Sequence, residues 1–313
     1  MKKIRIAIIC LVVTLLFLVK QESMAAEYSL FEDYKYVVVE DGSAICIKEY
    51  IGRDIYVTVP SQIEGKPVWY IGEAFYENRT IQKVVLPDGL KVVSGFDGCE
   101  NLKDIYIPNT VVKVDNFAFA NCINLEKLNL PNGIVEIGDY AFYNCKSLKE
   151  IVIPNSVKVI EQAAFLDCKK LKKVTLSKSL TELNWETFKG CKSLKSITIP
   201  NGIKRIGDEA FYGCKALKKI SLPNSLLRID NTVFHECGFT QVTIPKNVTH
   251  IGWNVFYSCE KLKKVKIKST KVKHFGFGAL GGINEKAVVD VPNKCLKKYK
   301  KMLNGRDFDA KLK

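Results

Sequence analysis

The sequence is nearly without histidine: His235, His250 and His274 are the only three in 313 residues. Neither a His-Glu-x-x-His run, a glycine-rich phosphate loop nor a Gly-x-Ser-x-Gly elbow is present. Eleven cysteines occur, but no two stand in a Cys-x-x-Cys pair, so the close spacing that zinc sites use is missing. Each histidine falls at a variable repeat position and is expected to be exposed. These absences leave no catalytic residue, metal or cofactor to assign. The chain reads as a non-enzyme, with a site in a terminal cap as the remaining enzymatic alternative.

Long apolar runs are also scarce. The one present, Ile6 to Val19, follows Lys2, Lys3 and Arg5 and ends at Lys20, with small residues at Ser23 and Ala25. It is shorter than the roughly 20 apolar residues a bilayer span needs. Residues 1–26 therefore read as a secretory signal peptide. No second run follows, so the mature chain is expected to have no membrane span and to be secreted or held at a cell surface. Acidic residues are outnumbered, 33 against 48 bases. Four bases and one acid belong to the signal segment, so the formal charge of +15 falls to +12 without it. Such a balance favours anionic partners.

A repeat dominates the rest. Phenylalanines stand at Phe75, Phe96, Phe119, Phe142, Phe165, Phe188, Phe211, Phe234 and Phe256, in steps of 23 after Phe96 with a final step of 22. Three residues after each from Phe96 onward comes Cys99, Cys122, Cys145, Cys168, Cys191, Cys214, Cys237 or Cys259. One copy shows the physics. Ile151 and Ile153 flank Val152 with the period of a half-buried strand. Pro154 ends the ladder and Asn155-Ser156 turns the chain. Val157 and Ile160 point back inward, and Ala164-Phe165 is read as a short helical turn whose ring fills the core. One unit cannot bury these residues alone, so like side chains stack in columns.

The fold class expected is an α/β repeat solenoid: a right-handed stack with a parallel sheet, the hand following from the crossover rule. Roughly ten coils at ~4.8 Å would span about 50 Å. Residues 27–54 read as a β-type N-terminal cap, 55–292 as the solenoid, and 293–313 as a basic C-terminal capping helix and tail. Asn293 is expected to cap that helix and Gly305 to stop it, with Leu296, Tyr299 and Leu303 on its inner face. Val289-Asp290-Val291-Pro292 is expected to be the last strand.

The pattern Ile-x-Ile-Pro-x-x-(Val/Ile)-x-x-Ile-x-x-x-Ala-Phe-x-x-Cys-x-x-Leu resembles the BspA-like bacterial leucine-rich repeats over roughly residues 55 to 292. The opening Ile55-Tyr56-Val57-Thr58-Val59-Pro60 is similar to that family's first repeat. The resemblance implies a secreted or cell-surface protein, linked to adhesion to host matrix proteins, host cells or other microbes, and no catalytic residues. Departures are local. Ser177 and Lys268 stand for the strand-ending proline, and Gly95, Thr187, Val233 and Val255 for the alanine before Phe. The unit ending at Phe96 is two residues short.

Four sets of residues are candidates. The cysteine column reads as buried free thiols, because ~4.8 Å spacing with parallel Cβ vectors does not suit a disulfide. Free thiols in a secreted chain would point to a reducing or anoxic habitat; Cys46 and Cys295 lie outside the column. A lysine ridge precedes the strands: Lys103, Lys127, Lys149, Lys172, Lys173, Lys195, Lys218, Lys219, Lys263 and Lys264, interrupted by Asp104, Glu126 and Glu150. It is either a stripe for a polyanion or a solvated face. The outward strand column is Tyr106, Asn129, Val152, Thr175, Thr198, Ser221, Thr243 and Lys266, a place where repeat proteins bind. Arg205, Arg228 and His250 precede the inward Ile and read as a small basic surface column away from the sheet. The function expected is binding of a protein or glycan, adhesin-like, by a monomer. Electrostatic capture of an anionic polymer through the lysines is the alternative.

Overall fold

A computed structural model describes residues 29–39, 41–304 and 311–313. The expected signal segment, 1–26, and Gly305 lie outside the described residues. The chain winds into a β-solenoid of about 11 turns. Repeats contribute to three walls, and within each wall backbone hydrogen bonds link most, not all, successive coils.

The first wall is the strand read from the Ile-x-Ile pattern. Tyr56–Thr58, Lys83–Val85 and Asp104–Tyr106 pair in parallel, as do Glu150–Val152 with Lys173–Thr175 and Ser196–Thr198 with Lys219–Ser221. Gln241–Ile244, Lys264–Ile267 and Val288–Asp290 continue it. The wall is broken at Leu128-Asn129-Leu130, which forms no strand. The sequence reading held a single sheet; the structure adds a second. Two-residue strands such as Glu182–Leu183, Arg205–Ile206, Arg228–Ile229, His250–Ile251 and His274–Phe275 form a separate parallel ladder. In that ladder the second residue of each pair is buried and the first faces outward. A two-residue strand has no period to detect, which is why it was not legible.

The third wall corrects the expected helical turn. No helix forms around the Phe. Residues two before and two after it are left-handed: Ala163 (φ 54°) and Asp167 (φ 58°) flank Phe165, and Tyr140 and Asn144 flank Phe142. Alternate N–H groups then donate to the next coil, Ala163 to Trp185 O, Phe165 to Thr187 O and Asp167 to Lys189 O. The signal was present two residues after Phe, where Asn121, Asn144, Asp167, Gly190 and Gly213 are residue types that tolerate this region.

Inside, the phenylalanines form one continuous column from Phe75 to Phe256. Their centroids are 4.9–5.6 Å apart and their planes 5–18° from parallel. All are buried, and each contributes on the order of 1.5–3 kcal/mol through lost apolar exposure. Where the strand-ending proline is missing, a buried serine replaces it: Ser177 Oγ donates to Val157 O at 2.6 Å, and Ser269 Oγ to Val248 O at 2.6 Å. Ser269, not Lys268, therefore takes that place; Lys268 is an exposed extra residue in its coil.

At the N-terminal end, Ser29–Phe31, Tyr34–Val38 and Ile45–Tyr50 pair antiparallel, and the last of these joins Lys66–Ile71 in parallel. At the other end the helix is short, Leu296–Leu303, with Tyr299 and Leu303 buried. Asn293 does not cap it. It opens a 3-10 turn, Asn293–Cys295, that leads directly into the helix without a side-chain cap. Val288–Asp290 is not the last strand either, because Lys311–Leu312 pairs in parallel beside it.

Candidate binding surfaces

The lysine ridge lies along the edge of the first wall, and every lysine in it is exposed. Hydrogen bonds fix its register, since Lys172 N donates to Lys149 O and Lys218 N to Lys195 O. Acidic neighbours reach this wall in two early places: Lys83 meets Asp104 at 3.3 Å and Lys149 meets Glu126 at 2.7 Å, while Lys103 and Lys127 have no acidic partner among the described residues. From Lys172 onward no ridge lysine is paired: Lys172, Lys173, Lys195, Lys218, Lys219, Lys263 and Lys264 have no acidic partner among the described residues. Beside them Thr175, Thr198, Ser221 and Thr243 face outward and are exposed, as are Tyr106, Asn129, Val152 and Lys266. The ridge and the outward column thus form one continuous surface. Its second half is cationic with a floor of small hydroxyls.

The cysteines are chemically silent by construction. All ten described are free and buried. Each thiol of the column donates to the carbonyl of a phenylalanine in an earlier coil, as Cys122 Sγ to Phe96 O at 3.1 Å and Cys168 Sγ to Phe142 O at 3.1 Å. Burial pushes the column thiols up, to about 12 for Cys99 and Cys259. A buried neutral thiol is a poor nucleophile. Ellman's reagent should therefore find no reactive thiol in folded protein spanning residues 27–313 and release colour from all ten of its thiols in denaturant. Stoichiometric reaction of any column thiol before unfolding would contradict this packing.

The second ladder holds what the sequence reading treated as plain surface. Asp230 is buried, at 4% exposure, and accepts from Arg205 Nε at 2.6 Å and Arg228 Nε at 2.5 Å. Its place in the column falls between Gly207 and Gly252, which leave it room. Arg205 also meets Glu182 at 3.3 Å. Beyond Asp230 the ladder carries His250 and His274, with ring centroids 6.4 Å apart. These coils enclose a half-open depression of about 180 Å³ bordered by Arg228, Asp230, Asn231, His250, Trp253 and His274. The histidines are not uniformly exposed as expected. His274 is exposed, His250 is half-buried, and His235 is half-buried between the rings of Tyr212 and Tyr257.

Sequence reasoning missed Trp185, Trp253 and Phe277. They occupy the column that elsewhere holds Asn116, Asp139, Asp208 and Asn231, whose side-chain oxygens accept from the next coil, as Asn231 Oδ1 from Trp253 N at 2.9 Å. Trp185 and Trp253 are 50% and 60% exposed. An aromatic at a polar repeat position is the sequence signal that marks them.

Repeated coils stacked on a phenylalanine spine, with parallel ladders on their walls, define a leucine-rich repeat solenoid. The sequence profile of the BspA type leucine rich repeat region matches residues 69–195 and 181–303, with six copies, and the chain belongs to that family. A leucine-rich repeat protein from Bacteroides ovatus is similar, with 27% identity over 91% of this chain and 76% of that one and a TM-score of 0.76. The leucine rich repeat protein of T. pallidum is 33% identical over 61% of this chain and 91% of its own, with a TM-score of 0.57. A leucine rich cell surface protein from Faecalibacterium prausnitzii shares the fold at 21% identity, covering 93% of this chain and 96% of that one, with a TM-score of 0.62. No curated protein gives a significant match. Among the described residues no helix is long and apolar enough to cross a membrane.

Proposed function

We propose that this chain is an adhesin-like binding protein that works outside the bacterial cell and grips an anionic glycan with the cationic half of its first wall. In this reading residues 1–26 direct export. A right-handed stack over 55–292 sits between a β-type cap at 27–54 and a basic closing segment at 293–313. The family, and the naming of one structural neighbour as a cell surface protein, support the location. A single observation carries the ligand class: Lys172, Lys195 and Lys218 stand in register on successive coils with no acidic partner among the described residues. Unit charges ~4.8 Å apart repel by about 1 kcal/mol even in water. An extended anion lying across the coils removes that repulsion and releases its own counterions.

The test is binding of a heparin oligosaccharide and a panel of matrix proteins at two salt concentrations. Heparin affinity should fall steeply with salt, and K172Q/K195Q/K218Q should flatten the logarithmic slope by about 2. A second reading, direct protein docking on Thr175, Thr198, Ser221 and Thr243, is favoured by the flat polar strip these residues form. Salt-insensitive binding of a matrix protein, unaffected by the lysine changes, would select it. Binding of neither class would refute both.

A further inference from the structure

We infer that the depression on the second ladder is a separate recognition site for an acidic pyranose, a sugar ring that carries a carboxylate. The platform is Trp253. Its indole is 60% exposed and lies against Gly276, where a side-chain carbon would come within 2.5 Å of its Cδ1. Phe277, 53% exposed, lies next in the same column, where Asn254 N donates to its carbonyl. Two neighbouring exposed rings at a repeat position that carries polar residues in most other coils, Trp185 apart, are unusual on a water-facing wall. An aromatic side chain has only two χ angles, so it loses little entropy when an apolar ring surface stacks on it. The C–H face of a pyranose is such a surface.

The donors border the same depression. Arg228 spends its Nε on Asp230, which locks the guanidinium plane. Its two terminal nitrogens have no partner among the described residues, so the planar fork that matches a carboxylate is free. Asp230 is itself shared with Arg205, so its charge is divided between two guanidiniums. His250 Nδ1 is engaged with Thr249 Oγ1 at 2.8 Å, which leaves Nε2 for a ligand. Asn231 takes its backbone partner through Oδ1 and keeps its amide N–H groups for sugar hydroxyls. The cavity, about 180 Å³, is the size of one sugar ring rather than of a peptide. An apolar plate and a charged fork bordering one cavity suit a monosaccharide carboxylate, and a bare anion has no use for the plate.

Proton linkage follows from the groups that face His250: Arg228 and Asp230 from the preceding coil, Lys273 and His274 from the next. Burial, then the positive charge of Arg228, His274 and Lys273, holds His250 below the usual histidine value. It is therefore neutral near pH 7. A bound carboxylate favours its protonated form, so binding takes up a proton and tightens as pH falls.

Saturation-transfer NMR on the whole chain tests this with glucuronate and N-acetylneuraminate as probes, glucose as the neutral ring and acetate as the bare carboxylate. Both acidic sugars, or one of them, should bind at least about tenfold more tightly than glucose, and acetate should not displace them at equal concentration. Affinity should rise from about pH 7.5 to about pH 5.5, and H250Q should remove that dependence. W253A and R228Q should each weaken binding about tenfold or more, while W185F leaves it intact; circular dichroism checks that all variants fold. K172Q/K195Q/K218Q should retain the acidic sugar, which separates this site from the first-wall reading. Equal binding of glucose, full competition by acetate, no binding of either acidic sugar, or indifference to both W253A and R228Q would overturn the assignment.

Discussion

Replacing Phe165 by alanine should lower the unfolding free energy by about 3–5 kcal/mol, measured by denaturant melts followed by circular dichroism. The ring is fully buried and lies between Phe142 at 5.1 Å and Phe188 at 5.4 Å. Its loss removes the buried apolar area and also both stacking contacts. The cavity cannot close easily, because backbone hydrogen bonds beside the rings, Phe142 N to Ala164 O and Phe165 N to Thr187 O, hold the adjacent coils at a fixed spacing. In a solenoid, stability is largely a sum of unit and neighbour terms, so a weak middle coil uncouples the two halves. The melt should therefore broaden as well as shift. A loss below about 1 kcal/mol with an unchanged transition would mean that the spine is not a continuous packing unit.

Gly95→Ala should be the other severe change. Gly95 lies at φ 79°, and a Cβ there would collide with the carbonyl oxygen of Gly72 and come within 3.1 Å of Ala74 N. Both obstacles are backbone, so no rotamer relieves them. The left-handed conformation alone costs an alanine about 1–2 kcal/mol. Gly89 supplies the control: its φ is 99°, and a Cβ there meets nothing within 4 Å. G89A should show the conformational cost alone, and G95A should exceed it by about 1 kcal/mol or more in the same melt. Equal losses would show that the short coil ending at Phe96 relaxes around the added carbon.

Both changes fall on features the sequence displays to different degrees. The Phe and Cys columns were legible because a strict step of 23 admits only stacking, and each position found in the repeat is buried. Gly95 was visible as a departure, together with its short unit, but not as a left-handed residue pressed against another coil. The turn around Phe was misread as helical. Ala-Phe resembles a helix start, whereas the decisive residues sit two places to either side. The second ladder was invisible because only one residue in each of its strands is inward. For the candidate sites the lysine ridge was fully readable, since charge and register are both sequence properties. That Lys149 is the one ridge lysine paired among the described residues was not, because that depends on which neighbour an acid reaches. The depression at Trp253 was least legible. Its members come from three coils, and only the geometry places Asn231, His250 and His274 together.

The link from each thiol to a phenylalanine carbonyl spans 26 residues in coil after coil, from Cys122 to Cys237. A join that is identical at every level makes the levels interchangeable. Excising or duplicating one whole unit between equivalent residues would present matching surfaces at the cut, so the molecule behaves as a ruler whose reach is set by copy number. Lengthening it in this way would extend the cationic strip by a fixed increment while leaving the chemistry of every rung untouched. Adaptation to longer or shorter ligands then needs only recombination between repeats, not the invention of new contacts.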